Sequence, residues 1–228
     1  MIKRITEKSS KERVLQAFKE GYFNNKSDYE LNKINPNLLN DKSIALELVK
    51  YNGIIYNNLN NDLQNDKDII ITAIKTNCSV YKDIPDIFKN DKEIIIAFVS
   101  SKSLHNLETV SYDVDKLKDK DKWLDDKDVI LAGCQNTSAF LKCASTRLKD
   151  DEDVALTAIK KNPFAILNMS YRLQSDEDFT IKAMKANEDV IKYVKPEIKH
   201  KCFDEKLQAA SEKVDRNIKK NNTKDFER

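Results

Sequence analysis

Glycine is scarce in this chain, with three in 228 residues, and only four prolines accompany it. Tight hairpin turns draw on those residue types, so a fold built of many β-hairpins is excluded and an all-α fold is expected. Histidine is scarcer still, at His105 and His200, and the four cysteines, Cys78, Cys134, Cys143 and Cys202, show no C-x-x-C spacing. That excludes a recognisable zinc signature and leaves the thiols as reduced core residues. No apolar run approaches the roughly eighteen residues of a membrane span. The stretch MIKRITEKSSKERV at the N-terminus lacks the apolar region of a signal peptide. A cytoplasmic location without membrane association is therefore expected; an exported version would travel without a cleavable signal.

Charge of one sign is also missing. The chain holds 40 Lys and Arg against 38 Asp and Glu. Residues 1–39 carry eight basic against five acidic side chains, residues 200–228 eight against six, and the part between 24 against 27. A field that would hold a polyanion is thus absent from the middle of the chain, and weak nucleic-acid binding survives as an alternative only through the basic tails.

What is present is a repeat. NDKSIALELVKYN at Asn40 recurs as NDKDIIITAIKTN at Asn65, NDKEIIIAFVSSK at Asn90, DDKDVILAGCQNT at Asp125, DDEDVALTAIKKN at Asp150 and SDEDFTIKAMKAN at Ser175. The starts lie 25, 25, 35, 25 and 25 residues apart, so an insertion of ten residues interrupts a regular array. A weaker forerunner, SSKERVLQAFKEG from Ser9, reads as a degenerate first unit. Each copy is marked as a helix at both ends. Its first residue, Asn, Asp or Ser, is expected to cap the helix, with an acid three positions later in five copies (Asp68, Glu93, Asp128, Asp153, Asp178) in the manner of a capping box. Lys50, Lys75, Lys160 and Lys185 suit the negative end of the dipole, and Asn52, Asn77, Asn162 and Asn187 stand where a left-handed stop is expected.

Between these caps the apolar stripe is broad. In the second copy it comprises Ile69, Ile70, Ile71, Ala73 and Ile74, too wide for a helix resting on one neighbour. The twelve residues that follow space Tyr56, Leu59 and Leu63, or Tyr81, Ile84 and Phe88, or Ile166, Met169 and Leu173, three and four apart, which predicts a second, shorter amphipathic helix. Two short helices cannot bury their apolar faces alone. The expected architecture is an α-solenoid of about six two-helix repeats of 25 residues with terminal capping helices. Residues 1–39 form an N-terminal helical segment, 40–199 the array with its insertion near 107–124, and 200–228 a C-terminal capping helix with a frayed tail.

The block [ND]-D-K-[DE]-[IV]-[IV]-[IL]-x-A-[IV]-K-x-N, followed by a shorter helix ending in L-[QK]-x-D, resembles the helical repeat catalogued as domain of unknown function 4116. The resemblance runs from about Asn40 to Lys199 and is most specific in the copies at Asn65 and Asp150; the third copy departs with SSKS, the fourth with Gly133 and Gln135. It implies a helical repeat fold, no shared catalytic residue, and a context that includes secreted effectors of intracellular bacteria and proteins of large viruses.

No chemistry stands out from the residues themselves. DKDK at Asp119 and DDKD at Asp125 offer oxygen donors, but without the Gly and closing Glu of a calcium loop, and similar acids recur in every unit as helix starts. Neither metal ligands, cofactor-binding residues nor catalytic residues are assigned. Cys134 falls in the core column of Val49, Ile74, Val99, Ile159 and Met184. The insertion is the place where the rhythm fails, and it holds His105, Tyr112 and the single tryptophan, Trp123. These three are the candidate contacts of a protein-binding module whose partner is another protein, a host protein in an effector-like version. The alternative is a hydrolase or transferase with a site near the insertion, for instance one pairing Cys143 with His105; Trp123 packing over the join between two three-repeat halves is the structural alternative for that residue.

Overall fold

The computed structural model describes residues 6, 8–20, 34–104 and 113–199. Among them every regular element is helical and no strand occurs. Seven of the described helices have eight residues or more: α1 (Lys11–Lys19), α2 (Lys42–Tyr51), α3 (Lys67–Thr76), α4 (Lys92–Val99), α5 (Lys127–Asn136), α6 (Glu152–Lys161) and α7 (Glu177–Ala186). The C-terminal segment 200–228, expected as a capping helix and frayed tail, lies outside the described residues. No described helix is long and apolar enough to cross a membrane.

The caps of α2 to α7 sit one residue later than the pattern suggests. Asp41, Asp66, Asp91, Asp126, Asp151 and Asp176 hold extended backbone, and each carboxylate accepts from the amide three residues on. In the second copy this is the Ile69 amide at 3.3 Å, with the Asp68 amide at 3.0 Å. Asp68 and its counterparts therefore occupy the second helical position, where they face the positive dipole end and close no capping box.

The helix ends also differ from expectation. Asn52, Asn77, Asn162 and Asn187 have φ between −146° and −159°, which is extended and not left-handed. Each Asn side chain instead accepts from the amide two residues on, 3.2 Å for Ile54 and 2.9 Å for Phe164, and so starts a 3-10 helix. These are Gly53–Asn58, Cys78–Lys82, Pro163–Asn168 and Glu188–Lys192. Thr137 takes the place of the asparagine in the fourth copy, its Oγ1 accepting from Ala139 at 3.4 Å.

The predicted second helix is consequently divided in several copies into a 3-10 piece and one α-helical turn, such as Asn61–Gln64 or Tyr171–Ser175. The division has a local cause: Asn60 and Ser170 cap the turn themselves, accepting from Leu63 at 2.9 Å and Leu173 at 3.2 Å, and this breaks the run. A tyrosine ties the pieces together, Tyr56 donating to the Gln64 carbonyl at 2.8 Å and Tyr81 to that of Lys89 at 2.7 Å. The anchors read from the sequence are buried, with Phe88 only half-buried.

Each long helix packs on the next in chain order, from α1 on α2 to α6 on α7. One apolar cluster runs from Val14 to Ile198. A lysine at the start of each of α2 to α5 spans to two acids at the start of the following helix: Lys42 to Asp66 and Asp68 (2.6 and 2.9 Å), Lys67 to Asp91 and Glu93 (2.7 and 3.0 Å), Lys92 to Asp126 and Asp128 (2.9 and 2.7 Å), Lys127 to Asp151 and Asp153 (2.9 and 2.8 Å). Such exposed pairs add little stability singly, but they reward one register of packing. The series ends at Glu152, which stands in the lysine's place and pairs with Lys182 at 2.8 Å.

The irregular third copy is held by its neighbours. The Asn136 amide donates to three carbonyls, Val99, Ser101 and Leu104, at 3.1, 2.9 and 3.1 Å. The Ser103 hydroxyl accepts from the Cys78 amide at 2.9 Å, and the Lys102 amide donates to the Lys75 carbonyl at 3.0 Å. The lost K-x-N signal is thus replaced by side chains that reach across units.

Candidate interaction surface

Of the three contacts expected from the insertion, His105 and Tyr112 lie outside the described residues. Trp123 is a core residue at 2% exposure, so its indole offers no surface to a partner. Its place explains this: it stands two residues before a copy starts, as do Leu63, Leu148 and Leu173, all of which are buried. Aligning the copies through the insertion is the signal that would have placed it. Its indole Nε1 is buried without an acceptor among the described residues, and Lys122 lies 4.1 Å from the ring centre.

The described part of the insertion is bound to the second and third units. Asp113 takes Lys116 at 2.7 Å and the Cys78 thiol at 3.5 Å. Tyr81 accepts from the Lys118 amide at 3.3 Å, and Asn90 donates to Asp119 at 2.9 Å. Asp119 adopts φ 52°, a left-handed turn that Asp tolerates, just before the short helix Lys120–Leu124.

Of the thiols weighed as chemistry in the sequence, Cys134 lies in the core and Cys143 packs against it. Cys134 is fully buried and burial pushes its thiol up to about 12. Burial raises half-buried Cys143 as well, the reverse of what an attacking thiolate needs. The acids at unit starts are engaged within the fold. Asp150 accepts from the Ser170 hydroxyl and from Arg172 Nε at 2.9 Å, and these bonds, the hydroxyl's first, hold its carboxyl below the ordinary range. Asp125 is held likewise by Ser145 and Arg147.

A different surface comes forward in the fifth and sixth units. Phe164 and Leu167, on the 3-10 helix Pro163–Asn168, are 49% and 46% exposed. At three residues per turn they align one above the other on the outer side, while Ala165 and Ile166 face the core. Tyr193, 38% exposed, meets Phe164 edge to face with ring centres 5.4 Å apart. Tyr171, further along, carries Lys195 over its ring at 3.7 Å. The corresponding outer positions are Ser79 and Lys82, Ala139 and Lys142, and Asp189 and Lys192 in three other units. The first copy places Ile54, 38% exposed, beside Asn57, so among these five units the fifth alone fills both outer positions with large apolar side chains. The patch was legible only once the 3-10 geometry separated outer from inner residues.

The family model described as Domain of unknown function (DUF4116) matches residues 66–114, 126–171 and 151–199. No curated protein and no solved structure matches the chain.

Proposed function

Because the chain belongs to the family Domain of unknown function (DUF4116), whose model covers more than half of it, we propose that it is an α-solenoid of about six repeats acting as a protein-interaction module. Sequential packing of α1 to α7 around one continuous core supports the solenoid reading. The observation that carries the interaction reading is the patch of Phe164, Leu167 and Tyr193. Rigid aromatic and aliphatic side chains left in solvent on a packed scaffold are the anchors from which binding sites are made, and hydration of three such groups is unfavourable unless something covers them. The insertion, rooted at Asp113 and Asn90, stays a second contact region through His105 and Tyr112. In an effector-like version the partner belongs to a host cell; in a housekeeping version it is another chain of the same cell.

Affinity purification with the chain and with its Phe164→Ser/Leu167→Ser variant, from the native cell and from a host cell if one exists, tests this. A partner retained by the first and lost by the second is expected. An identical set of retained proteins, with the variant folded by circular dichroism, refutes the patch as the binding surface.

A further inference from the structure

The patch lies in a rim of cations that differ from the other lysines of the array. The lysines at the helix starts, Lys42, Lys67, Lys92 and Lys127, are each held between two carboxylates. Those around the patch are not. Lys160 and Lys161 end α6 just ahead of Phe164, and Lys185 holds in α7 the place of Lys160. Lys142 and Lys192 stand at the Leu167 position in the flanking units, whose short helices pack against Pro163–Asn168 on either side. Lys142, Lys160, Lys161 and Lys185 are exposed. Lys192 is paired with Asp189 at 2.7 Å, which leaves Glu188 as the acid of this rim without a described ion pair.

This arrangement follows from the repeat. In α3, α6 and α7 acids stand in the first turn and lysines in the last, as the helix dipole favours. At the beginning edge the lysines from Lys42 to Lys127 pair with acids of the next unit, whereas at the ending edge of the fifth and sixth units the lysines stand exposed around two rings and a leucine. Resting on the interaction reading above, we propose that this patch binds an acidic peptide segment. Its apolar side chains seat against Phe164, Leu167 and Tyr193 while its carboxylates face Lys142, Lys160, Lys161 and Lys185. Apolar burial supplies the affinity, and the open ammonium groups select against basic sequences and speed encounter.

The test is fluorescence anisotropy with a fluorescein-labelled peptide carrying a Phe and a Leu one helical turn apart among Asp and Glu, beside a control in which Lys replaces the acids. The acidic peptide should bind and the lysine control should not. Raising NaCl from about 50 to about 500 mM should weaken binding about tenfold or more, as screening shortens to a few ångströms. Phe164→Ser/Leu167→Ser should abolish binding, and Lys160→Glu/Lys161→Glu, which leaves the core untouched, should weaken it about tenfold or more. Equal binding of the two peptides, or none of either, overturns the proposal. So does binding to phosphatidylserine vesicles in place of the peptide, or a patch-dependent dimer by sedimentation, the acidic edge of a second copy then being the occupant. If affinity purification still yields a patch-dependent partner while the peptide fails, the interaction reading stands and only the acidic-peptide assignment falls.

Discussion

Gly133 and Phe140 form a close steric match in the core. A methyl group added to Gly133 would lie 2.5, 2.7 and 2.9 Å from the Cγ, Cδ1 and Cδ2 atoms of Phe140. Those atoms belong to the near part of a ring that is fully buried, so they cannot swing away. The repeat shows the alternative solutions: the same two positions hold Ala73 with Val80, Ala183 with Val190 and Leu48 with Ile55. Gly133→Ala should gain about 1 kcal/mol of helix propensity and lose about 3 kcal/mol to overpacking. The net loss is about 2 kcal/mol, or about 4–8 °C in Tm for a chain of this length. In the Phe140→Val background the clash is gone and the same substitution should instead stabilise, by up to about 1 kcal/mol. The sign change amounts to a coupling of about 3 kcal/mol, at the upper end for residues in contact. Urea unfolding of the four proteins, followed by circular dichroism, measures it as shifts in midpoint at constant slope. If Gly133→Ala stabilises in both backgrounds, or the two substitutions add within about 0.5 kcal/mol, the packing argument is refuted.

Asn136→Ala strips three carbonyls of the third unit of their shared donor and should cost about 1–3 kcal/mol in thermal unfolding, whereas Asn90→Ala, on an exposed contact to Asp119, should cost well under about 1 kcal/mol. Stability should also follow pH through the helix caps. For Asp66, Asp91, Asp126 and Asp151 burial pushes the carboxyl up, but the facing lysine and the capped amides together outweigh it and hold the group below its ordinary value of 3.8. A lowered folded value means stability present above the ordinary carboxylate range and lost as pH falls through the folded value. The partners Lys42, Lys67, Lys92 and Lys127 are raised above 10.5 by bonds to those acids, so their share is present below that value and lost as pH rises beyond it. A melting profile flat between about pH 5 and 8 is expected, falling below as the caps protonate and above as the thiols of Cys78, Cys134 and Cys143, raised by burial, ionise only on unfolding; a steady change across neutrality would contradict it. Glu152→Lys places a cation between Asp176 and Asp178 as in the preceding units but forfeits the Lys182 pair. Its gain should be below about 1 kcal/mol in low salt and vanish near 1 M NaCl, and an unaltered gain in high salt would show that charge is not the cause.

Much of this molecule is legible in one dimension because its information is local and repeated. The helix identity of each copy, its broad apolar stripe, the buried anchors Tyr56, Leu59 and Leu63, and the core place of Cys134 all follow from periodicity that six copies make hard to misread. Local detail is less secure. An Asn followed by an Asp offers two caps, and the structure uses the Asp; where Asp150 precedes Asp151 in the same way, Asp150 is left to bind Ser170 and Arg172 from the next segment. Asn162 stands where a left-handed stop is expected, yet its carboxamide folds the extended chain directly into a 3-10 helix.

The candidate site is hardly legible at all. Trp123 stands out as a rare residue beside an insertion, but burial and not rarity decides its role. Phe164 and Leu167 pass for members of an amphipathic helix, because an apolar run shows its outer side only when the turn is three residues and not 3.6. The sequence by itself determined the helical unit, its period and its core columns, since hydrophobic spacing and capping act within a few residues. Tertiary structure alone decided how the irregular third copy is pinned by Asn136, which lysines are neutralised across units, and where two rings and a leucine are left in water. Those outcomes depend on groups 24 to 37 residues apart meeting in space, and no local pattern records such distances.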